Sequence, residues 1–194
     1  MKNPQLFHRK TLETDIRGYL QFCGSRKGKI STGIGFMDHM LEQLRFHSGS
    51  DLELVAQGDL QVCPHHTIED VALCLGETIA KILGDRQGIR RYACCYLPMD
   101  ETLTRTVIDV SGRPFHVLKG ALSTVAIGGF PTEMVPHFFH SLAMTSKIAL
   151  HQEILYGEND HHKVEALFKG FGKALAESVS VGDPSVLPSS KGVL

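Results

Sequence analysis

The sequence lacks several features that mark particular classes of protein. Its 20 lysines and arginines nearly balance 21 aspartates and glutamates, and no block of one charge is present. Nucleic acid and membrane surfaces are therefore not expected as partners. The longest weakly polar stretch, 120–130, is too short and too rich in glycine to span a bilayer. The first residues contain no apolar core typical of a secretory signal.

Cysteine pairs with metal or redox spacing are also missing. The five cysteines form no C-x-x-C motif, and their number is odd. Cys94 and Cys95 are adjacent in an apolar run, where strand geometry would point them to opposite faces. Free thiols of this kind are typical of a reducing compartment, so we predict a cytoplasmic protein.

Histidine, by contrast, is abundant, with 11 copies, and its arrangement repeats. The pattern H-H-x-x-E at 65–69 recurs 96 residues later at 161–165. One further histidine precedes each copy, and these two, His39 and His137, are 98 residues apart. Apolar residues at helical spacing surround both of these histidines and follow both motifs. Repetition of ligand-type residues together with their surroundings indicates an internal duplication.

The apolar pattern predicts helices and strands in each half. A long helix follows each H-H-x-x-E motif, the first closed by Gly84 and the second by the segment 182–184. We predict an α+β fold of two similar βαβ-type halves, 1–88 and 89–194, with helices packed on mostly antiparallel sheets. The predicted strands are 16–23, 52–56, 92–97, 103–110, 115–118 and 150–156.

The spacing inside each motif suits metal binding. On a helix, Glu69 lies three and four residues after the histidines, so it shares a side of the helix with them. Successive helical residues point about 100° apart, so one ion does not easily bind both His65 and His66. We predict that each pair is divided between two ions and that each ion collects ligands from both halves. Alternatively, Thr67 and Asp70 form a capping box, which leaves the histidines just before the helix.

The candidate metal ligands number six imidazoles and two carboxylates. Divided evenly, they make two sites of three histidines and one glutamate, each with room for substrate. Imidazole and carboxylate without thiolate suit Mn, Fe, Co or Zn. The candidates are His39, His65, His66, Glu69, His137, His161, His162 and Glu165.

These motifs resemble those of the imidazoleglycerol-phosphate dehydratase family, in its monofunctional form. The resemblance runs from about residue 9 to residue 194. It rests on T-G-I-G-F-M-D-H-M-L at 32–41, H-H-T-I-E-D at 65–70, P-M-D-E at 98–101, D-V-S-G-R-P at 109–114, F-F-H-S-L-A at 138–143, L-Y-G-E-N-D-H-H-K-V-E-A-L-F-K at 155–169 and P-S-S-K-G at 188–192.

The resemblance implies a specific enzyme. Its activity would be that of a metal-dependent hydro-lyase, EC 4.2.1.19, which converts D-erythro-imidazoleglycerol phosphate to imidazole acetol phosphate plus water in histidine biosynthesis. Two Mn ions per active site would activate the substrate imidazolate and hydroxyl. The fold would be ribosomal protein S5 domain 2-like. The assembly would be a homo-oligomer of twenty-four subunits with active sites at subunit interfaces.

The resemblance also implies residue roles. Metal ligands fall on the eight side chains named above, with Glu69 and Glu165 counted as catalytic, and Glu13 is the expected acid–base carboxylate on the substrate. Cys63-Pro64 departs from the family pattern, because an acidic residue usually precedes the first histidine pair. The residues implied in phosphate binding are Arg91, Arg113, Lys169, Ser189 and Lys191.

Two other interpretations of the metal motifs remain open from the residues alone. A two-metal hydrolase of phosphate esters usually has carboxylates bridging its ions, whereas aspartate is sparse near these motifs. A metal-buffering or metal-assembled shell protein would use the motifs only to join subunits. Phosphate release would identify the first, and metal-dependent assembly without turnover would identify the second.

Overall fold

The chain builds the same sequence of strands and helices twice. The computed structural model describes residues 3–183, 186–192 and 194. The first unit contains β1 (Gln5–Lys10), β2 (Thr14–Gln21), β3 (Ile30–Ser31), α1 (Gly35–Ser48), β4 (Asp51–Gly58) and α2 (His65–Leu83). The second contains β5 (Tyr92–Met99), β6 (Thr102–Asp109), β7 (Phe115–Lys119), β8 (Ala126–Ile127), β9 (Phe130–Pro131), α3 (Met134–Ser146), β10 (Ala149–Tyr156) and α4 (Asp160–Ser178).

Each unit forms a four-stranded sheet with the same topology. The strand orders are β1-β2-β4-β3 and β5-β6-β10-β7, and in both sheets only the last pair is parallel. That parallel pair is joined through a helix, α1 or α3, as a βαβ crossover requires. The predicted α+β fold with duplicated, mostly antiparallel halves is therefore confirmed. The β8–β9 hairpin has no counterpart in the described residues of the first unit.

The closest helix pairs join the two units. The main helix pairs are α1 with α4 and α2 with α3. Gly76 and Gly172, which are 96 residues apart, occupy the two crossing points. A Cβ at Gly76 would lie 2.0 Å from the Thr145 hydroxyl, and one at Gly172 would lie 3.0 Å from the Leu44 carbonyl. Because the helices approach this closely, His39 on α1 faces α4 and His137 on α3 faces α2.

The described buried apolar residues of both units form one core, and its aromatic part lies within the second unit. The buried aromatic rings of Phe138 and Phe139 on α3 contact those of Phe168 and Phe171 on α4. Ring centroids 4.7–5.6 Å apart are in the range of favourable aromatic packing. The helices that carry the second H-H-x-x-E motif and the second single histidine are therefore held rigidly against each other.

All six predicted strands are present, and each predicted end lies within two residues of the observed one. The structure adds β1 and the short strands β3, β8 and β9. β1 lies at the edge of its sheet, where charged residues such as Arg9 and Lys10 interrupt the apolar alternation that identifies inner strands. Cys94 is exposed and Cys95 is half-buried, in agreement with the predicted opposite faces.

The predicted closure of the second long helix at 182–184 is wrong. Helix α4 ends at Ser178, and the chain then pairs with the segment that follows α2. Arg91 N–H donates to the Ser178 carbonyl over 2.9 Å, and Gly182 N–H donates to the Gly88 carbonyl over 2.7 Å. Those contacts need an extended chain after α4. The first long helix, α2, ends at Gly84 as predicted. Pro184 lies outside the described residues.

The predicted boundary between halves at 88 and 89 stays a prediction, since the helix pairs and the 88–91 segment join both units. None of the helices in the described part of the chain combines the length and apolarity that crossing a bilayer requires.

Candidate metal centre

Both histidine pairs lie in the first turn of a helix. Helix α4 begins after Asn159, whose side chain accepts hydrogen bonds from the backbone N–H of His161 at 2.9 Å and of His162 at 3.4 Å. This is an ordinary N-cap. Helix α2 begins after Pro64, and no described side chain caps it. The second pair is thus on a capped helix start and the first pair is not.

The alternative of a capping box at Thr67 and Asp70 is wrong. Helix α2 has already begun at His65, so these two residues lie beyond the position that a capping box requires. Asp70 instead accepts hydrogen bonds from the Thr14 hydroxyl at 2.5 Å and from Arg9 Nε at 2.8 Å. These bonds attach α2 to the first two strands.

One cluster, the α2 cluster, consists of His65, Glu69 and His137. His137 Nε2 lies 3.0 Å from Glu69 Oε1, and His65 Nε2 lies 4.0 Å from Glu69 Oε2. The two imidazole centroids are 4.7 Å apart. His65 and Glu69 come from the first unit and His137 from the second, so the cluster depends on the α2–α3 pairing.

The other cluster, the α4 cluster, consists of His39, His161 and Glu165. Nε2 of His39 and Nε2 of His161 lie 3.1 and 3.0 Å from the same oxygen of Glu165. Lys169 Nζ lies 2.6 Å from the other oxygen. Burial alone raises the pKa of Glu165, but hydrogen bonds from Lys169, His39 and His161 outweigh it and hold the pKa below its usual value. Here too one ligand, His39, comes from the other unit.

The second histidine of each pair points away from these clusters. The ring planes within a pair are nearly perpendicular, at 78° for the first pair and 88° for the second. His66 Nδ1 lies 3.0 Å from Asp59, and His162 Nδ1 lies 2.7 Å from Glu101. These hydrogen bonds are the main cause of the raised pKa of both rings. An ion at either cluster would therefore reach only the first histidine of the pair.

The clusters fit a divalent transition metal. In each, two imidazole nitrogens and one carboxylate oxygen lie within 4.8 Å of one another. All four cluster histidines direct Nε2 inward. His66 and His162 instead bond a carboxylate through Nδ1, the arrangement usual for metal-bound imidazoles. The donors are nitrogen and oxygen without sulfur, which suits Mn, Fe, Co or Zn.

Glu13 lies in a third group, with Asp59 and His66. Its carboxylate is 3.7 Å from His66 Nδ1, and about half of its side chain is exposed. It opens onto a cavity of about 430 Å³ formed by the β1–β2 turn and the segment after β4. Leu12, next to it, is fully exposed.

The predicted phosphate-binding residues are in two separate places. Lys169 lies at the α4 cluster, 3.9 Å from Met99 Sδ at the end of β5. Arg91 precedes the start of β5 and binds Asp109 at 2.7 Å and the Pro188 carbonyl at 2.7 Å. Strand β5 rises about 3.3 Å per residue, so roughly 20 Å separate its two ends.

The remaining phosphate candidates lie at the Arg91 end of β5. Arg113 is exposed in the turn after β6. Ser189 and Lys191 are in the tail that Arg91 holds through Pro188. The four residues at this end do not reach the clusters of the same chain.

Three carboxylates that were not predicted as site residues, Asp59, Asp100 and Glu101, surround His66 and His162. Hydrogen bonds from the Asn159 N–H and from His162 hold the pKa of Glu101 far below its usual value. A signal for Glu101 was available, because it directly precedes β6 just as Glu13 directly precedes β2, 88 residues earlier.

The fold and its clusters define a class of protein, a duplicated α+β chain that presents histidine and glutamate to divalent metal ions. Comparison with known proteins identifies the family. The family model for imidazoleglycerol-phosphate dehydratase matches residues 32–175. An imidazoleglycerol-phosphate dehydratase from an Exiguobacterium species is 51% identical over 95% of this chain and 94% of its own length. One from Clostridium botulinum is 46% identical over 96% of this chain and 95% of its own.

Solved structures agree with the sequence comparison. The imidazoleglycerol-phosphate dehydratase of Staphylococcus aureus superposes with a TM-score of 0.83 at 34% identity, covering 91% of this chain and 99% of that one. The enzyme of Pyrococcus furiosus, in complex with (S)-C348, gives the same score and identity over 96% and 99%. The chain belongs to the imidazoleglycerol-phosphate dehydratase family, and it is a lyase of histidine biosynthesis. The family predicted from the motifs is confirmed.

Proposed function

We propose that this chain dehydrates D-erythro-imidazoleglycerol phosphate to imidazole acetol phosphate plus water, with two Mn ions per active site. The observation that carries the proposal is the geometry of the α2 and α4 clusters. Each cluster joins ligands from both units, and a further histidine, His66 or His162, points outward beside it. Family membership supplies the reaction, EC 4.2.1.19. The ligands of the ions are the eight side chains predicted from the sequence.

The reaction is demanding because no carbonyl activates the departing hydroxyl, so the substrate imidazole must supply the electrons that expel it. Bound divalent ions supply Lewis acidity that favours the deprotonated ring and offsets negative charge developing on the leaving oxygen. The clusters orient the substrate by fixing where its ring and hydroxyl are held. Glu69 and Glu165 each hold two imidazoles in place within a cluster.

Glu13 moves the proton at the carbon next to the departing hydroxyl. Its carboxylate faces an open cavity and lies 3.7 Å from His66, so it is close to a metal ligand and accessible to substrate. A general base needs this combination of reach and freedom. The 3.7 Å separation is too long for a hydrogen bond, which leaves the carboxylate lone pairs available.

The substrate phosphate is bound by Arg91, Arg113, Lys169, Ser189 and Lys191. Lys169 carries a positive charge at the α4 cluster and is only partly exposed. Arg91 uses its guanidinium on Asp109 and on the Pro188 carbonyl, so its first role is to hold the tail that carries Ser189 and Lys191.

The active site is completed by other copies of the chain. Each cluster has only three ligands, and the second histidine of each pair, His66 or His162, points outward. Four of the phosphate-binding residues lie at the other end of β5, roughly 20 Å from Lys169. A second subunit resolves all three mismatches when it brings its tail end to the metal end of its neighbour. We take the assembly to be the twenty-four-subunit homo-oligomer of the family, located in the cytoplasm and without nucleic acid or membrane partners.

Turnover of imidazoleglycerol phosphate by metal-stripped protein, before and after addition of Mn²⁺, tests the proposal. Free phosphate and sedimentation are followed in the same samples. We expect the keto product only with Mn²⁺, without phosphate release, and a smaller particle after chelation. Phosphate release would indicate a hydrolase. Metal-dependent assembly without turnover would indicate a shell protein, and an unchanged sedimentation profile after chelation would refute ligands shared between subunits.

A further inference from the structure

The duplication places a glutamate at the same structural position in each unit. Glu13 ends the β1–β2 turn and is followed by buried Thr14, the first residue of β2. Glu101 ends the β5–β6 turn and is followed by buried Thr102, the first residue of β6. Because the two sheets have the same topology, the two carboxylates lie beside the second histidine at the start of α2 and of α4, respectively.

Glu101 is fully engaged by hydrogen-bond donors. One oxygen accepts the backbone N–H of Asn159 at 2.8 Å, the N–H of Glu158 at 3.1 Å and the hydroxyl of Thr102 at 3.0 Å. The other oxygen lies 2.7 Å from Nδ1 of His162. Asn159 in turn caps α4. The side chain thus connects the β5–β6 turn to the segment that orients the second histidine pair.

Glu13 has much looser contacts. Its carboxylate lies 3.7 Å from His66 and is 54% exposed. The close partner of His66 is Asp59, whose two oxygens lie 3.0 and 3.2 Å from Nδ1. In the first unit, therefore, Asp59 holds the histidine and Glu13 is left unconstrained at the cavity.

The bond from Glu101 determines which nitrogen of His162 can bind a metal. An ionised carboxylate only accepts hydrogen bonds, so Nδ1 of His162 must carry the proton. The lone pair of the neutral ring is then on Nε2, and the bond also fixes the ring orientation. His162 is thereby prepared as a ligand before any ion arrives.

We propose that Glu101 is a positioning residue that prepares His162 for metal binding, whereas its repeat counterpart Glu13 is free for proton transfer. The inference rests on the proposed function for the ligand role of His162 and for the role of Glu13. The two glutamates occupy equivalent positions in the two units and divide two tasks.

The matched variants Glu101→Gln and Glu13→Gln test this division. A glutamine at 101 keeps an oxygen for the backbone N–H groups but presents its amide N–H to His162. That contact favours the wrong tautomer, with the proton on Nε2. We expect Mn²⁺ binding to the metal-stripped full chain, measured by calorimetry, to weaken by about 10–100-fold in Glu101→Gln. In Glu13→Gln, Mn²⁺ affinity is expected to match the wild type while turnover is lost.

Other measurements keep the test decisive. Glu101→Asp retains an acceptor-only carboxylate and should recover part of the lost Mn²⁺ affinity. The ¹⁵N spectrum of histidine-labelled, metal-free wild type, assigned against His162→Gln, should show His162 protonated at Nδ1. That spectrum needs no folded variant at 101.

Several outcomes would overturn the inference. Wild-type Mn²⁺ affinity in Glu101→Gln, equal weakening in both glutamine variants, or an Nε2-protonated His162 would each do so. Wild-type protein that binds Mn²⁺ without dehydrating the substrate would refute the proposed function instead. The comparison of metal affinities would still decide the positioning role.

Discussion

The α2 and α4 clusters have the same three residue types, two histidines and a glutamate, but different surroundings. The Glu165 side chain is 7% exposed and has a lysine partner, whereas the Glu69 side chain is 37% exposed. The residue at the position equivalent to Lys169, 96 residues earlier, is Leu73. The α4 cluster is thus more deeply buried and carries an extra positive charge. The three residue types of the cluster are the same in both units, whereas their neighbours differ.

The starts of helices α2 and α4 also differ, and again the second unit has the additional polar contacts. Asp160, just before the second histidine pair, is buried and accepts the backbone N–H groups of Ser123 and Thr124 at 2.7 and 2.6 Å. Burial alone raises its pKa, but bonds from Lys163, Thr124 and Ser123 hold the pKa well below its usual value. The equivalent residue in the first unit is Pro64, which has no side-chain acceptor. The departure at Cys63-Pro64 therefore removes a loop anchor from the first cluster and leaves its ligands in place.

Substitution of the central glutamate of each cluster should give the largest difference in stability between the two clusters. We expect Glu165→Gln to lower the unfolding free energy of the metal-free protein by about 2 kcal/mol, because a buried group loses charge-assisted bonds to Lys169 and two imidazoles. Glu69→Gln, at a more exposed position, should cost less than about 1 kcal/mol. Urea denaturation under chelation measures both. Equal losses would show that the two clusters are equally supported.

A second difference between the units is the polarity of the inner face of each sheet. The inner face of the second sheet carries buried Thr104 and Gln152, where the equivalent positions of the first sheet carry Ile16 and Leu54. His116, on the neighbouring strand β7, lies against this polar row. The first sheet is apolar at the corresponding place, so acid should weaken the second unit more.

The pH dependence of stability tests that expectation. Burial lowers the pKa of His116 from 6.5 to about 4. The neighbouring His140 and His151 lower this pKa further, whereas a hydrogen bond with Gln152 opposes the change. The folded state thus favours the neutral ring, so this contribution is complete above pH 6.5 and is lost as the pH falls towards 4.

The corresponding variant is His116→Phe. Wild type should lose about 1 kcal/mol more than His116→Phe between pH 6.5 and 4, after allowance for screening of a partly exposed ring. His151→Phe, on the exposed face of β10, removes only the weakest of these influences on His116, so it is the control and should nearly follow the wild type. Thermal melts at several pH values measure the difference, and parallel curves for all three proteins would contradict it.

The smallest expected effect concerns the helix caps. Asn159→Ala removes the acceptor for the N–H groups of His161 and His162 and should cost about 1 kcal/mol of unfolding free energy. Cys63→Ala, at the equivalent position before α2, removes no capping bond and should change stability by less than about 0.5 kcal/mol. Chemical denaturation of the metal-free proteins compares them. A loss at Cys63 as large as that at Asn159 would contradict the difference between the helix starts.

Much of the fold followed from local patterns. The repeat offset and the six predicted strands depend on residue spacing along the chain, which the sequence displays directly. The clusters themselves were partly visible, because a duplicated ligand motif with a single distant histidine implies pairing between halves.

What local patterns could not reveal were contacts set by the tertiary fold. Glu101 meets His162 across 61 residues, and Asp59 meets His66 only because β4 ends beside the start of α2. The end of α4 was misjudged because residues 88–91 bind the chain after Ser178, and no pattern near Ser178 encodes that competition. Hydrogen bonds between separate elements of the fold decided each of these positions.

The crossed helix pairing has a consequence for the history of the molecule. Neither unit contains a whole cluster, since each supplies a histidine and a glutamate to one cluster and a single histidine to the other. Two identical copies of one ancestral half, related by a twofold axis, would nevertheless have formed both clusters at once. A dimer of short chains could therefore have worked before gene fusion. Joining the two copies in one chain lets them differ, as the contacts of Glu13 and Glu101 do.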